Sequence, residues 1–129
     1  MQHNNLEKLL DTANKEIKRL SFDESTSIIN NNNDVVIIDV REESEVYNSG
    51  IIKNAIHIPR GILEFSLAPN SSNNPVKITD DTTILVYCAG GYRSALAAKS
   101  LKDLGFANVF NLGGYKEWIE NGGDIQASI

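Results

Sequence analysis

The sequence contains a single cysteine, Cys88, and only two histidines among its 129 residues. One cysteine excludes an internal disulfide, so Cys88 is either a small buried hydrophobe or a working thiol. His3 lies in the polar N-terminus, and His57 has no second histidine or cysteine at metal-ligand spacing. We therefore expect neither a metal site nor another cofactor, and we expect His57 to be a packed structural residue.

Long apolar runs and an excess of basic residues are also missing. No apolar run approaches the roughly 18 residues needed to span a bilayer, and the N-terminal "MQHNNLEKLL" has no apolar core of a secretory signal. The net charge of −5 argues against nucleic-acid and anionic membrane surfaces, which require a basic field. We expect a cytoplasmic protein with no nucleic-acid or membrane partner.

The first 20 residues show helical periodicity with an ambiguous end. Apolar residues recur at helical intervals from Leu6 to Leu20, which predicts an amphipathic helix over residues ~5–18. Because a chain of this length suits one core, we predict a helical extension, residues 1–16, packed on one domain, residues 17–129. A partner-binding extension is the alternative reading of the helix. An edge strand over residues 17–20 is the alternative for its end.

Downstream, short apolar runs alternate with helical segments. A capping box, Ser21 with Glu24, predicts a helix to about Ile29. Strands are predicted at residues 35–38, in "AIHIP", at 84–87 and in "NVFNL". Helices are predicted over 42–47, in "GILEFSLA", from Tyr92 to the terminating Gly105 and around a core Trp118. Residues 69–82 are predicted to form a loop. This alternation is typical of a three-layer α/β fold with a mostly parallel sheet between helices.

The stretch "YCAGGYRSALAA", residues 87–98, places Cys88 at the carboxyl end of a predicted strand, where ligands bind in such sheets. Gly90 and Gly91 permit positive φ, so successive N–H groups can converge on one point, and the helix that begins near Tyr92 adds its unpaired amides. The loop therefore predicts a cradle for an anion. If the anion is the Cys88 sulfur, its pKa falls below about 8.5 and a thiolate forms without a general base.

Two polar residues follow in the same loop. Arg93 is permanently cationic and either orders the loop by binding its carbonyl groups or binds an anionic substrate. Ser94 either donates a hydrogen bond to the thiolate or caps the helix, and we prefer the capping role. Four residues separate Cys88 from Arg93, one fewer than in the cradle of cysteine phosphatases. The tighter ring suits one sulfur atom bound to the cysteine, a persulfide, better than a phosphoryl group.

Together these segments resemble the rhodanese-like (sulfurtransferase) domain family in its single-domain form. The resemblance covers most of the chain after about Ile17 and rests on "VIIDVREESEV", "AIHIPRG", "CAGGYRS", "ALAAKSLKDLGF" and "NVFNLGGYKEW". It implies a central sheet of about five strands, Cys88 as the catalytic nucleophile and a persulfide bound by the loop residues Ala89, Gly90, Gly91, Tyr92 and Arg93. The family's Asp-x-Arg motif corresponds to Asp39 and Arg41, to which we assign support of the fold near the site.

The resemblance implies a thiosulfate sulfurtransferase class of activity. Sulfane sulfur would pass from thiosulfate or a persulfide to cyanide or a thiol, which an acceptor protein could carry. The alternatives are a non-catalytic binding or signalling module and a phosphatase or arsenate reductase of related fold. The sequence does not fix the oligomeric state, for which a monomer is our expectation.

Overall fold

The computed structural model describes residues 5–128. Its elements, in chain order, are α1 (Leu6–Glu16), α2 (Phe22–Asn31), β1 (Val35–Asp39), α3 (Glu43–Ser49), β2 (Ile51–Ile52), β3 (Ile56–His57), a 3₁₀ turn (Arg60–Ile62), α4 (Leu63–Leu67), β4 (Thr83–Cys88), α5 (Tyr92–Asp103), β5 (Val109–Gly114), α6 (Tyr115–Glu120) and β6 (Ile125–Gln126). His3 lies outside the described residues.

A parallel sheet forms the centre of the molecule. Its strands are ordered β3-β1-β4-β5, and every neighbouring pair is parallel. The inner strands β1 and β4 are almost wholly buried because each is a continuous apolar run with helices on both faces. The α/β prediction is confirmed, and the carboxyl ends of β1 and β4 bring Asp39 and Cys88 to one edge of the sheet.

The expected fifth strand is reduced to a single bridge beyond β5. Arg19 pairs in parallel with Asn111. Leu20 N–H donates to the Asn111 carbonyl at 2.9 Å, and Asn111 N–H donates to the Lys18 carbonyl at 3.0 Å. The segment over residues 17–20 is therefore extended, as the edge-strand alternative proposed, and it runs parallel to β5 at the edge of the sheet.

Helix α1 is two residues shorter than predicted at its C-terminal end, because Ile17 takes an extended backbone. It packs against α5 through the buried Ala13, and its Glu16 lies 3.4 Å from Lys99 of that helix. Leu6 and Leu9, at its start, are exposed. The division of the chain at residue 16 stays a prediction.

The sequence pattern did not reveal one pair of strands. β2 and β6 pair antiparallel, with Ile51 opposite Gln126 and Ile52 opposite Ile125. Two-residue strands carry no measurable alternation, so only the tertiary structure brings them together. Trp118 is buried beside this pair and contacts Phe22, with ring centroids 5.1 Å apart, which confirms its role in the core. Among residues 5–128, none of the helices has the length and apolar character needed to cross a bilayer.

Candidate active site

Cys88 ends β4, and the loop after it turns directly into α5. Gly91 occupies the position before the helix with φ +94°, a left-handed conformation that favours glycine. Ala89 and Gly90 press against the end of β5, where a Cβ on Gly114 would lie 2.6 Å from the Ala89 carbonyl oxygen. Glycines at positions 91 and 114 are therefore required for the loop to curl over the end of the sheet.

The loop surrounds the Cys88 sulfur with donors. Gly91 N–H donates to Sγ at 3.1 Å and Ser94 N–H donates to it at 3.4 Å, while the Cys88 thiol itself donates to the Ser94 hydroxyl oxygen at 3.4 Å. Burial raises the pKa of the Cys88 thiol, but the hydrogen bonds from Ser94, Gly91 and Gly90 outweigh burial and lower it overall. Backbone N–H groups of Gly91 and Ser94 therefore converge on one point, as the loop pattern predicts, and the atom at that point is the sulfur of Cys88 itself.

Ser94 does not have the capping role that we preferred from the sequence. The helix begins without a side-chain cap, and Ser94 is its third residue, buried beneath the loop. Its hydroxyl lies 2.7 Å from Oδ1 of Asn111 as well as beside Sγ. The reason is positional, because a side chain in the third helical position points back over the first turn, which here covers Cys88.

Arg93 is bound by a carboxylate on a different element. Its two terminal nitrogens donate to the two carboxylate oxygens of Glu45 in α3, at 2.7 and 2.9 Å. The Arg93 ion pair is the main cause that lowers the pKa of Glu45 to about 2. Glu45 in turn raises the pKa of Arg93, and the neighbouring Cys88 sulfur adds to that shift. Arg93 thus binds a carboxylate of α3 rather than carbonyl groups of its own loop, and the choice between ordering the loop and binding an anionic substrate stays a prediction.

Comparison with known proteins identifies the scaffold. A family model for the rhodanese-like domain matches residues 21–121. The chain belongs to the rhodanese-like domain family. A structure of a Rhodopseudomonas palustris protein of unknown function, described as a possible tyrosine phosphatase, is 34% identical with a TM-score of 0.87, and the match covers 98% of this chain and 97% of that one.

Two curated relatives extend the comparison. A sulfurtransferase from Allochromatium vinosum is 30% identical over 95 residues, which cover 73% of this chain and 80% of that protein. A tRNA uridine(34) hydroxylase from Ehrlichia ruminantium is 36% identical over 99 residues, which cover 71% of this chain but 34% of the hydroxylase. The chain thus spans about a third of the length of the hydroxylase and most of the length of the sulfurtransferase.

In this rhodanese-like domain, Asp39 and Arg41 form a buried ion pair at 2.8 Å. The Arg41 guanidinium also lies 4.2 Å from the ring centroid of Tyr115 and donates to the carbonyl of Gly50 and the hydroxyl of Ser49, at the end of α3. The pair therefore fixes α3, the helix that carries Glu45 to Arg93. This placement agrees with the supporting role assigned from the sequence. His57 contacts the Arg41 carbonyl through Nε2 at 2.7 Å.

The binding roles of the remaining loop residues stay predictions, and the structure brings three further residues into contact with the loop. The Tyr92 side chain is exposed at the edge of the loop. Tyr92 and Arg93 are the first two residues of α5, so their N–H groups have no acceptor within the helix. The additions are Arg19, Glu45 and Asn111. Asn111 had a usable signal, since it is the one polar side chain inside the otherwise apolar run over residues 109–112. Arg19 and Glu45 had none, because charged residues of this kind usually face solvent.

Proposed function

We propose that this rhodanese-like domain is a sulfurtransferase that carries sulfane sulfur as a persulfide on Cys88. The observation that supports it most is the set of N–H groups directed at Sγ by Gly91 and Ser94. Such donors favour an anionic sulfur in a site where burial alone would oppose it. The relative from Allochromatium vinosum, named a sulfurtransferase over a comparable length, supports the same class.

The reaction has two displacement steps. In the first, the Cys88 thiolate attacks the outer sulfur of the donor; with thiosulfate, the donor S–S bond breaks and its electron pair leaves with sulfite. In the second, cyanide or a thiolate attacks the outer sulfur of the persulfide, and the Cys88 thiolate leaves. Cys88 suits both steps because a stabilised thiolate is at once a nucleophile and a good leaving group. No net oxidant or reductant is needed.

Within this proposal, the loop amides that do not reach Sγ bind the outer sulfur of the persulfide. The amides of Tyr92 and Arg93 begin α5 and have no acceptor within the helix, so we assign the binding of the added sulfur to them. Ala89 and Gly90 complete the loop, and Arg93 supplies positive charge at its end. Within this proposal, thiosulfate or a persulfide is the donor, and cyanide or a thiol is the acceptor.

Intact mass spectrometry tests the proposal directly. The purified protein is incubated with thiosulfate and then with cyanide, with Cys88→Ser in parallel. We expect a gain of one sulfur atom that disappears with cyanide and never appears in the variant. If neither thiosulfate nor a glutathione persulfide adds sulfur to the folded protein, the proposal is wrong and a non-catalytic binding module becomes the better reading.

A phosphatase is the second candidate, because the Rhodopseudomonas palustris relative is described as a possible tyrosine phosphatase. The four-residue spacing between Cys88 and Arg93 opposes it, since the amides already converge on Sγ and leave little room for a phosphoryl group. Hydrolysis of p-nitrophenyl phosphate is therefore expected to be absent. The matched variant has a glycine inserted between Gly91 and Tyr92. Phosphatase activity in the wild type would identify a true phosphatase. Activity that appears only in the insertion variant would show that the wild-type loop is too small for a phosphoryl group.

A further inference from the structure

The side chain of Arg19 reaches the active loop from outside the segment that the family model matches. Its Nη2 donates to the Gly90 carbonyl at 3.3 Å, and the same nitrogen is paired with Glu117 of α6. The guanidinium lies against backbone on two sides: a Cβ on Gly91 would be 2.5 Å from Nη1, and one on Gly113 would be 3.3 Å from Nε. Arg19 therefore occupies a slot that two glycines leave open.

The contact with Gly90 has a consequence for the sulfur. A trans peptide is planar, so its C=O and N–H point in opposite directions. The Gly90 carbonyl belongs to the same peptide as the Gly91 N–H. When Arg19 binds the carbonyl on the outer side of the loop, that N–H must point inward, where it meets Cys88 Sγ at 3.1 Å.

The next peptide is bound in the same way. Asn111 Nδ2 donates to the Gly91 carbonyl at 3.0 Å, which directs the Tyr92 N–H of that peptide away from Asn111. Arg19 and Asn111 are themselves bridge partners at the sheet edge. One edge of the sheet thus sets the orientation of two consecutive peptides of the cradle.

We propose that Arg19, anchored by Glu117, is a positioning residue that aims the Gly91 N–H at the sulfur of Cys88. It does not touch the reacting sulfur and acts through the Gly90–Gly91 peptide. The proposal rests on the proposed function for its part in sulfur transfer, because the same N–H would stabilise the thiolate that attacks the donor and leaves the persulfide.

A cation near a thiol also acts through its charge alone, and the two explanations must be separated. Among residues 5–128, two ion pairs contact the loop: Arg93 with Glu45, and Arg19 with Glu117. If only charge matters, removal of the Glu117 carboxylate leaves Arg19 unneutralised and lowers the pKa of Cys88. If positioning matters, the same change releases Arg19 from the Gly90 carbonyl and raises the pKa. The two explanations predict opposite signs.

The test is a pH titration of the ultraviolet absorbance of the Cys88 thiolate. Each protein is corrected with its own Cys88→Ser counterpart, which removes the tyrosine background. The variants are Arg19→Lys, which keeps the charge but loses the planar fork, and Glu117→Ala. Glu120→Ala is the matched control, since it removes an exposed carboxylate from the same helix. Thermal melting confirms that each variant is folded.

We expect the midpoint of the Cys88 titration to rise by about one pH unit in Arg19→Lys and Glu117→Ala and to stay unchanged in Glu120→Ala. A rise of about one unit corresponds to a tenfold smaller thiolate fraction at pH values below the midpoint. An unchanged midpoint in folded Arg19→Lys, or a lower midpoint in Glu117→Ala, would overturn the proposal. If Arg19→Lys does not fold, Glu117→Ala decides by its sign.

The titration reads Cys88 without any sulfur donor, so it is independent of turnover. A wild type that accepts no sulfur would refute the proposed function while the titration still decides the role of Arg19. Conversely, normal sulfur loading with unmoved midpoints would refute the role of Arg19 alone.

Discussion

Replacement of Glu45 by glutamine tests whether the Glu45–Arg93 ion pair stabilises the fold around the active loop. Glutamine keeps the shape of the side chain and its ability to accept the Glu42 N–H at the start of α3, but removes the charge. A pKa lowered from 4.5 to about 2 corresponds, unscreened, to about 3 kcal/mol. Because the two side chains are 40% and 33% exposed, solvent screening reduces the expected loss to about 1 kcal/mol.

The pH dependence of this loss follows from the direction of the shift. Glu45 has a lower pKa in the folded state than in the unfolded chain, so its contribution is present in full above about pH 4.5. It declines as the pH falls below 4.5 and is lost only below about 2, where the carboxylate is protonated in both states. The difference in the free energy of unfolding between wild type and Glu45→Gln must therefore shrink over this range.

Urea denaturation measured at several pH values between about 2.5 and 7 checks both the magnitude and the trend. Glu43→Gln is the matched control, because Glu43 is an exposed carboxylate in the first turn of the same helix. We expect the control to change stability by less than about 0.5 kcal/mol at every pH. A Glu45→Gln loss that is constant with pH, or equal to that of the control, would refute the stabilising role of the ion pair.

The remaining predictions concern the buried groups behind the loop. Asn111→Asp places a carboxylate oxygen where Nδ2 now donates to the Gly91 carbonyl. We therefore expect a higher pKa for Cys88 and, in chemical denaturation, a loss of about 3 kcal/mol of stability. An unchanged thiolate titration would contradict this expectation. Asp39→Asn leaves the buried Arg41 without its carboxylate, and the same assay should show a loss of about 3–5 kcal/mol; a loss below about 1 kcal/mol would mean that the pair is not a structural anchor. Cys88→Ser should alter stability by about 1 kcal/mol or less, because the two side chains are nearly isosteric; a grossly unfolded variant would instead show that the cysteine is structural.

Much of the fold was predictable because its signals are local. The Ser21 capping box is present in the structure, with Ser21 Oγ accepting from Glu24 N–H at 3.1 Å and Glu24 accepting from Ser21 N–H at 2.9 Å. The end of α5 at Gly105, with φ +108°, likewise follows from one residue type in one position. Where the signal was short or absent, as for β2 and β6, the prediction missed the element.

Within the active loop, the sequence determined the position of Cys88, the glycines that allow the loop to curl and the helix that supplies its amides. These features depend on residues that are neighbours in the chain, so backbone preferences alone fix them. Only the tertiary structure decided which groups hold the loop in place. Arg19 reaches Gly90 across 71 positions, and Glu45 reaches Arg93 across 48, because the packing of α3 and of the sheet edge brings together side chains whose sequence pattern is that of ordinary surface residues.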